Sequence, residues 1–112
     1  SHVEKAKYIY NVDSIKPTTG LANKTLCSIE SLRQIVKKGE GAYFSSGSRP
    51  NQTAQSWGYA RLASSITGGK SAAIDYNILE KGCKHKSKAL KLAKLSRKKH
   101  GYGKTKTPQT SL

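Results

Sequence analysis

Basic side chains near the end of this 112-residue sequence are its best candidates for chemistry. From position 81 onward there are eleven Lys and Arg residues and no Asp or Glu. Lys88, Lys91, Lys94 and Lys98 recur at intervals that place them on one face of a helix. An ammonium group contacts phosphate as a point charge and reads no base edge, so the pattern predicts binding to a nucleic-acid backbone with little sequence preference. The simpler alternative is a solvated helix face.

Other basic residues extend this prediction along the chain. Lys70 follows Gly68-Gly69 and precedes Ser71, which resembles part of a phosphate-binding loop. A nucleotide-hydrolysing loop needs glycine where Ser64 stands, so the run predicts either a site for one phosphate or a turn between helices. The residues predicted to bind nucleic acid are Lys84, Lys86, Lys88, Lys91, Lys94, Arg97, Lys98, Lys99, Lys104, Lys106, Arg49 and Lys70.

A hydroxyl-rich loop over residues 45–53 is the second candidate site. It precedes the only tryptophan of the chain, and such a loop can grip a partner's main chain or satisfy its own backbone. Trp57 can equally be a core residue. The residues predicted to dock a partner are Ser45, Ser46, Ser48, Asn51, Gln52 and Trp57.

Catalytic and metal sites are not expected. Cys83 and His85 form the only close Cys/His pair, which is not the spacing of a structural zinc site. The acidic residues are scattered, so we expect no enzyme activity, metal or cofactor. Because the sequence has only two cysteines, Cys27 and Cys83, we expect reduced thiols by default. A single disulfide between them is the alternative.

The charge of the chain points to a polyanionic partner. The formal net charge is +15 and the isoelectric point is about 10.0. So many positively charged side chains repel one another, and a polyanionic partner would relieve this repulsion. We expect this partner to be nucleic acid, with DNA favoured over RNA, and a membrane surface is the second expectation. No run of apolar residues in the sequence is long enough to span a bilayer. The charge distribution predicts a compact domain over 1–82, then 83–112 with a basic helix at about 87–100 and a flexible tail.

The elements that must position these residues are predicted to form an α+β fold that is mainly α. Tyr, Ile and Val over residues 3–12 predict a strand, and its 6–12 portion could pair with a short strand at 41–45. Gly39 is expected to end the first helix, and Gly58 predicts close packing against another backbone. Short helices are predicted at about 29–38, 53–66, 72–80 and 88–99, with N-caps at Ser28, Thr53 or Asn51, Ser71 and Ser87.

The middle third of the chain carries a resemblance to a known domain. Its residues are Tyr-Phe-Ser-Ser-Gly-Ser-Arg-Pro-Asn-Gln-Thr at 43–53, Ser-Trp-Gly-Tyr-Ala-Arg-Leu-Ala-Ser at 56–64, Thr-Gly-Gly-Lys at 67–70, and Asp75. This run is similar to a small uncharacterised domain in proteins of tailed phages and large DNA viruses. The resemblance implies a viral origin and no assigned activity.

Together these observations predict a non-enzymatic, basic nucleic-acid-binding protein of a DNA virus, associated with the virion and with the interior of the host cell during infection. The alternative is a minor capsid or cement protein that docks on major capsid subunits through the 45–53 loop and Trp57.

Overall fold

The fold is all-α over the residues that the computed structural model describes, 1–45 and 52–101. Seven helices lie in that part of the chain, and each contributes to one hydrophobic core. They are α1 (His2–Tyr10), α2 (Thr19–Thr25), α3 (Ile29–Ser45), α4 (Ala54–Ile66), α5 (Lys70–Ile74), α6 (Tyr76–Gly82) and α7 (Lys88–His100). No strand is present among these residues, so the predicted α+β class is wrong.

The segment predicted as the first strand is helix α1. Val3, Ala6 and Tyr10 are spaced three and four residues apart, so a helix turns them to one side, where they pack into the core. The Ser1 hydroxyl accepts a hydrogen bond from the Glu4 amide and begins the helix, and Asn11 ends it in the left-handed conformation. High β propensity was therefore overridden by burial of a helical stripe.

The second predicted strand, 41–45, is the last turn of α3. Gly39 does not end this helix but lies inside it, because α3 and α4 approach each other closely at this point. A Cβ atom on Gly39 would lie 2.7 Å from the Cα of Gly58, and one on Gly58 would lie 2.7 Å from the carbonyl oxygen of Val36. The prediction that Gly58 packs against another backbone is confirmed.

The helix predicted at 53–66 is confirmed as α4, with Thr53 as its N-cap. The hydroxyl of Thr53 accepts from the Ser56 amide at 3.0 Å, and the Ser56 hydroxyl accepts from the Thr53 amide at 3.3 Å. The next predicted helix, 72–80, is instead two helices that meet at Asp75, and the N-cap of the first is Gly69 rather than Ser71.

The chain after residue 82 is tied to the same core. A disulfide joins Cys27 to Cys83, and the same two residues form an isolated antiparallel backbone bridge. The default expectation of reduced thiols is therefore wrong, and the alternative of a single disulfide is what the structure has. Helix α7 then adds Ala89, Leu90 and Ala93 to the core. Within the described residues, no helix combines the length and apolar character required to cross a membrane.

Candidate nucleic-acid interface

Helix α7 is fixed to the protein by one apolar face. Ser87 begins the helix by accepting a hydrogen bond from the Leu90 amide at 3.1 Å, as its position in the sequence predicted. Ala89 and Ala93 are fully buried, and the Ser96 hydroxyl donates to the carbonyl oxygen of Gly69 at 2.7 Å. This attachment fixes the direction in which the opposite face of the helix points.

The opposite face of α7 presents the predicted lysines to solvent. Lys88, Lys91, Lys94 and Lys98 are all exposed, as is Lys99. Leu95 follows Lys91 by one helical turn and is 60% exposed, so an apolar side chain lies among the ammonium groups. We call this surface the α7 basic face.

One side of the α7 basic face contains a shallow depression of about 350 Å³. Lys94, Arg97 and Lys98 line it together with Tyr76 of α6. The guanidinium carbon of Arg97 lies 4.1 Å from the centre of the Tyr76 ring, a cation–π contact that orients the side chain. Three cationic groups around one depression favour an anion the size of a phosphate.

The loop between α6 and α7 continues the positive surface. Lys84 and Lys86 are exposed in this loop, next to the disulfide. The Lys84 amide donates to the carbonyl oxygen of Leu26 at 2.9 Å, so the backbone that carries these lysines is anchored to the end of α2. Seven exposed lysines therefore lie between residues 84 and 99, a stretch that contains no acidic side chain.

The remaining predicted cations are not all part of this surface. Lys70 is exposed and begins α5, directly after the Gly69 carbonyl that accepts from Ser96. Arg49, Lys104 and Lys106 lie outside the described residues.

Half of the predicted partner-docking set can be placed. Ser45 and Gln52 are exposed at the end of α3 and before α4, and Trp57 is half-buried on α4. The indole ring of Trp57 packs edge-on against Tyr43 with ring centres 5.5 Å apart. Ser46, Ser48 and Asn51 lie outside the described residues.

A cleft of about 500 Å³ lies beside Trp57, and the sequence did not predict it. It is formed where the start of α1, the end of α3, helix α4 and helix α5 meet. Trp57, Ala60, Arg61 and Ser64 form one wall, because residues three, four and seven apart share a face of α4. The sequence signal for this wall was Arg61, which falls on the other side of the helix from the buried stripe of Leu62, Ala63 and Ile66.

Behind the cleft, a buried carboxylate holds Arg61. The side chain of Asp75 is fully buried and accepts two hydrogen bonds from the guanidinium, from Nε at 2.9 Å and from Nη2 at 2.8 Å. The Ser65 hydroxyl donates to the same carboxylate at 3.1 Å, and the Lys38 ammonium lies 3.4 Å from it. The pKa of Arg61 is raised, mainly by its hydrogen bond to Asp75, so its charge is permanent.

The fold and the basic face define a small helical protein with a cationic surface attached to a compact core. Residues 3–81 match the model of DUF5824, a family of unknown function, and the chain belongs to that family. Comparisons with curated proteins and with solved structures give no significant match. The matched residues include Trp57, Arg61 and Asp75 but end before α7.

Proposed function

We propose that this chain is a non-enzymatic nucleic-acid-binding protein that contacts phosphate groups through the α7 basic face and the α6–α7 loop. The observation that carries the proposal is the row of exposed lysines, without an acidic residue between them, on a helix packed into the core. Because this surface is already folded, binding orders side chains but not backbone, which limits the entropic cost of association.

The binding mode follows from the kind of side chain present. Lysines neutralise phosphates and release condensed counterions, a contribution that does not depend on sequence. A helix of thirteen residues is about 20 Å long, which is roughly the length of half a turn of a DNA duplex along its axis. The depression at Lys94, Arg97 and Lys98 is suited to one phosphate, and Leu95 is suited to the apolar sugar edge beside it.

The biological setting is a further part of the proposal. We propose DNA as the nucleic acid and association with the virion of a DNA virus, and the support for this setting is the sequence resemblance of residues 43–75. The alternative, a minor capsid or cement protein, has one structural observation in its favour. Phe44 is 68% exposed and packs edge-on against Tyr43, which also contacts Trp57, so an exposed aromatic ring directly precedes Ser45, the first of the predicted docking residues.

A salt titration of binding tests the proposal. The full chain is titrated into a fluorescein-labelled duplex of random sequence, and anisotropy gives the association constant at several salt concentrations. With six to eight phosphates contacted, log K should fall against log salt with a slope of roughly −5 to −7. A second duplex of unrelated sequence should give the same affinity. Weak binding near physiological salt would overturn the proposal and would favour a basic surface that binds a protein partner instead of nucleic acid.

A further inference from the structure

The cleft beside Trp57 combines a permanent positive charge with an aromatic wall. Its volume of about 500 Å³ lies within the range of small-molecule sites, which is roughly 300–1,000 Å³. None of the α7 lysines lines it, so it is separate from the α7 basic face.

The guanidinium of Arg61 is held in a fixed orientation by Asp75. Asp75 engages Nε and Nη2, which uses two of the five N–H groups of the guanidinium. Among the described residues, the other N–H groups have no hydrogen-bond partner, and the side chain lines the cleft while only 18% exposed. A guanidinium held by a buried carboxylate loses little conformational freedom when it binds a second anion.

The charge of this cluster is not balanced by its own residues. Asp75 supplies one negative charge, whereas Arg61 and Lys38 supply two positive charges within 3.4 Å of it. An excess positive charge at a half-buried position favours an anionic ligand more strongly than an exposed lysine does. The hydroxyl groups of Ser64 and Ser71 also line the cleft and can donate to the same anion.

The other part of the wall is apolar and aromatic. Trp57 lies one turn before Arg61 on α4, and its indole is positioned by the edge-on contact with Tyr43. Ala42 and Ala60 continue the apolar surface. Aromatic side chains stack on nucleobases with roughly 1–3 kcal/mol per base. A ligand with both a planar ring and a phosphate therefore matches the two halves of the cleft.

We propose that this cleft binds a nucleoside 5′-phosphate, with its base against Trp57 and its phosphate at Arg61, Ser64 and Ser71. The ligand is either a free mononucleotide or the 5′-terminal nucleotide of a strand, since both present the same chemistry. The site is independent of the proposed role of α7.

Trp57 supplies the assay, because it is the only tryptophan of the chain. AMP is titrated into the full chain while indole fluorescence is recorded, and calorimetry repeats the titration. Inorganic phosphate, a 5′-phosphorylated oligonucleotide and the same oligonucleotide with a 5′-hydroxyl are the comparison ligands. Stacking should quench Trp57 with AMP and not with inorganic phosphate.

A matched pair of variants tests the location. Ala60→Glu places a carboxylate at the cleft wall on an exposed helical position, and Gln55→Glu places the same charge elsewhere on α4. Repulsion of a phosphate about 6 Å away should weaken AMP binding about tenfold or more in Ala60→Glu. Gln55→Glu should bind as the wild type does, and circular dichroism checks that both variants are folded.

The outcomes separate the two sources of the ligand and the two proposals. Quenching by AMP that Ala60→Glu abolishes supports a site for free nucleotide. Cleft-dependent binding of the 5′-phosphorylated strand alone supports a site for a strand end. Absence of quenching and heat with both ligands, or equal weakening in both variants, overturns the site. Neutralising the α7 lysines should leave AMP binding unchanged, so either proposal can fail without the other.

Discussion

Neutralising the α7 basic face should abolish most of the affinity for duplex DNA without unfolding the protein. The change is the quadruple replacement of Lys88, Lys91, Lys94 and Lys98 by glutamine, at positions that are all exposed. Lysine and glutamine have similar helix propensity, so α7 should persist. Each lost phosphate contact makes the slope of log K against log salt shallower by about 0.9, so four contacts change it by about 3.6. This corresponds to a loss of about 4,000-fold at about 0.1 M salt and of about 300-fold at about 0.2 M.

The assay is the anisotropy titration at several salt concentrations, with a control that carries the same net charge. The control variant replaces Lys5, Lys16, Arg33 and Lys37 by glutamine. These four residues are exposed and lie outside α7 and the loop that precedes it. It should retain the wild-type slope within about one unit. If both variants lose affinity for DNA equally, the interface is not localised on α7 and the total charge of the protein accounts for binding. Substitution is preferable to deleting the chain after residue 82, because deletion would remove core residues and the disulfide.

Three further predictions concern the core. Asp75→Asn should lower the free energy of unfolding in urea by about 3 kcal/mol, because Arg61 loses its buried counter-charge; a loss below about 1 kcal/mol would contradict this. Burial raises the pKa of Tyr10, so its contribution to stability is complete below its unfolded value of about 10 and is lost as the pH rises above it. The difference in unfolding free energy between wild type and Tyr10→Phe should be about 1 kcal/mol at about pH 8 and shrink above about pH 10; a constant difference would argue against this linkage. Gly39→Ala should destabilise by about 1–3 kcal/mol, because its Cβ would meet the backbone of α4, whereas Gly41→Ala in the same helix has open space and should stabilise by up to about 1 kcal/mol. Thermal melts that shift in the same direction for both glycine variants would disprove the close-packing argument.

Helices with a local start signal and an apolar stripe could be predicted from the sequence. Thr53 and Ser87 each precede such a stripe and each caps a helix. Helix α1 could not be identified in this way, because its Tyr, Ile and Val content favours a strand, and only burial against α4 decides the outcome. Gly39 was misassigned as a helix end for a similar reason. Its role depends on Gly58, nineteen residues later, and no local pattern reveals that contact.

The candidate sites show the same division. The lysine spacing of α7 could be predicted because one helix carries the whole pattern. The cluster behind the cleft joins Lys38 on α3, Arg61 on α4 and Asp75 between α5 and α6, so it exists only after the helices pack. Its single sequence signal was an aspartate inside an otherwise helical segment, at the residue where α5 ends and α6 begins.

The disulfide between Cys27 and Cys83 closes the intervening chain into a covalent ring. Helices α3 to α6 lie within this ring, whereas α1, α2 and α7 lie on the two arms that leave it. A single peptide-bond cleavage at any position from 28 to 82 would therefore leave the protein as one covalent molecule. The fragments would separate on a denaturing gel only after reduction, so the arm that carries the α7 basic face would stay attached to the rest of the protein after such a cut.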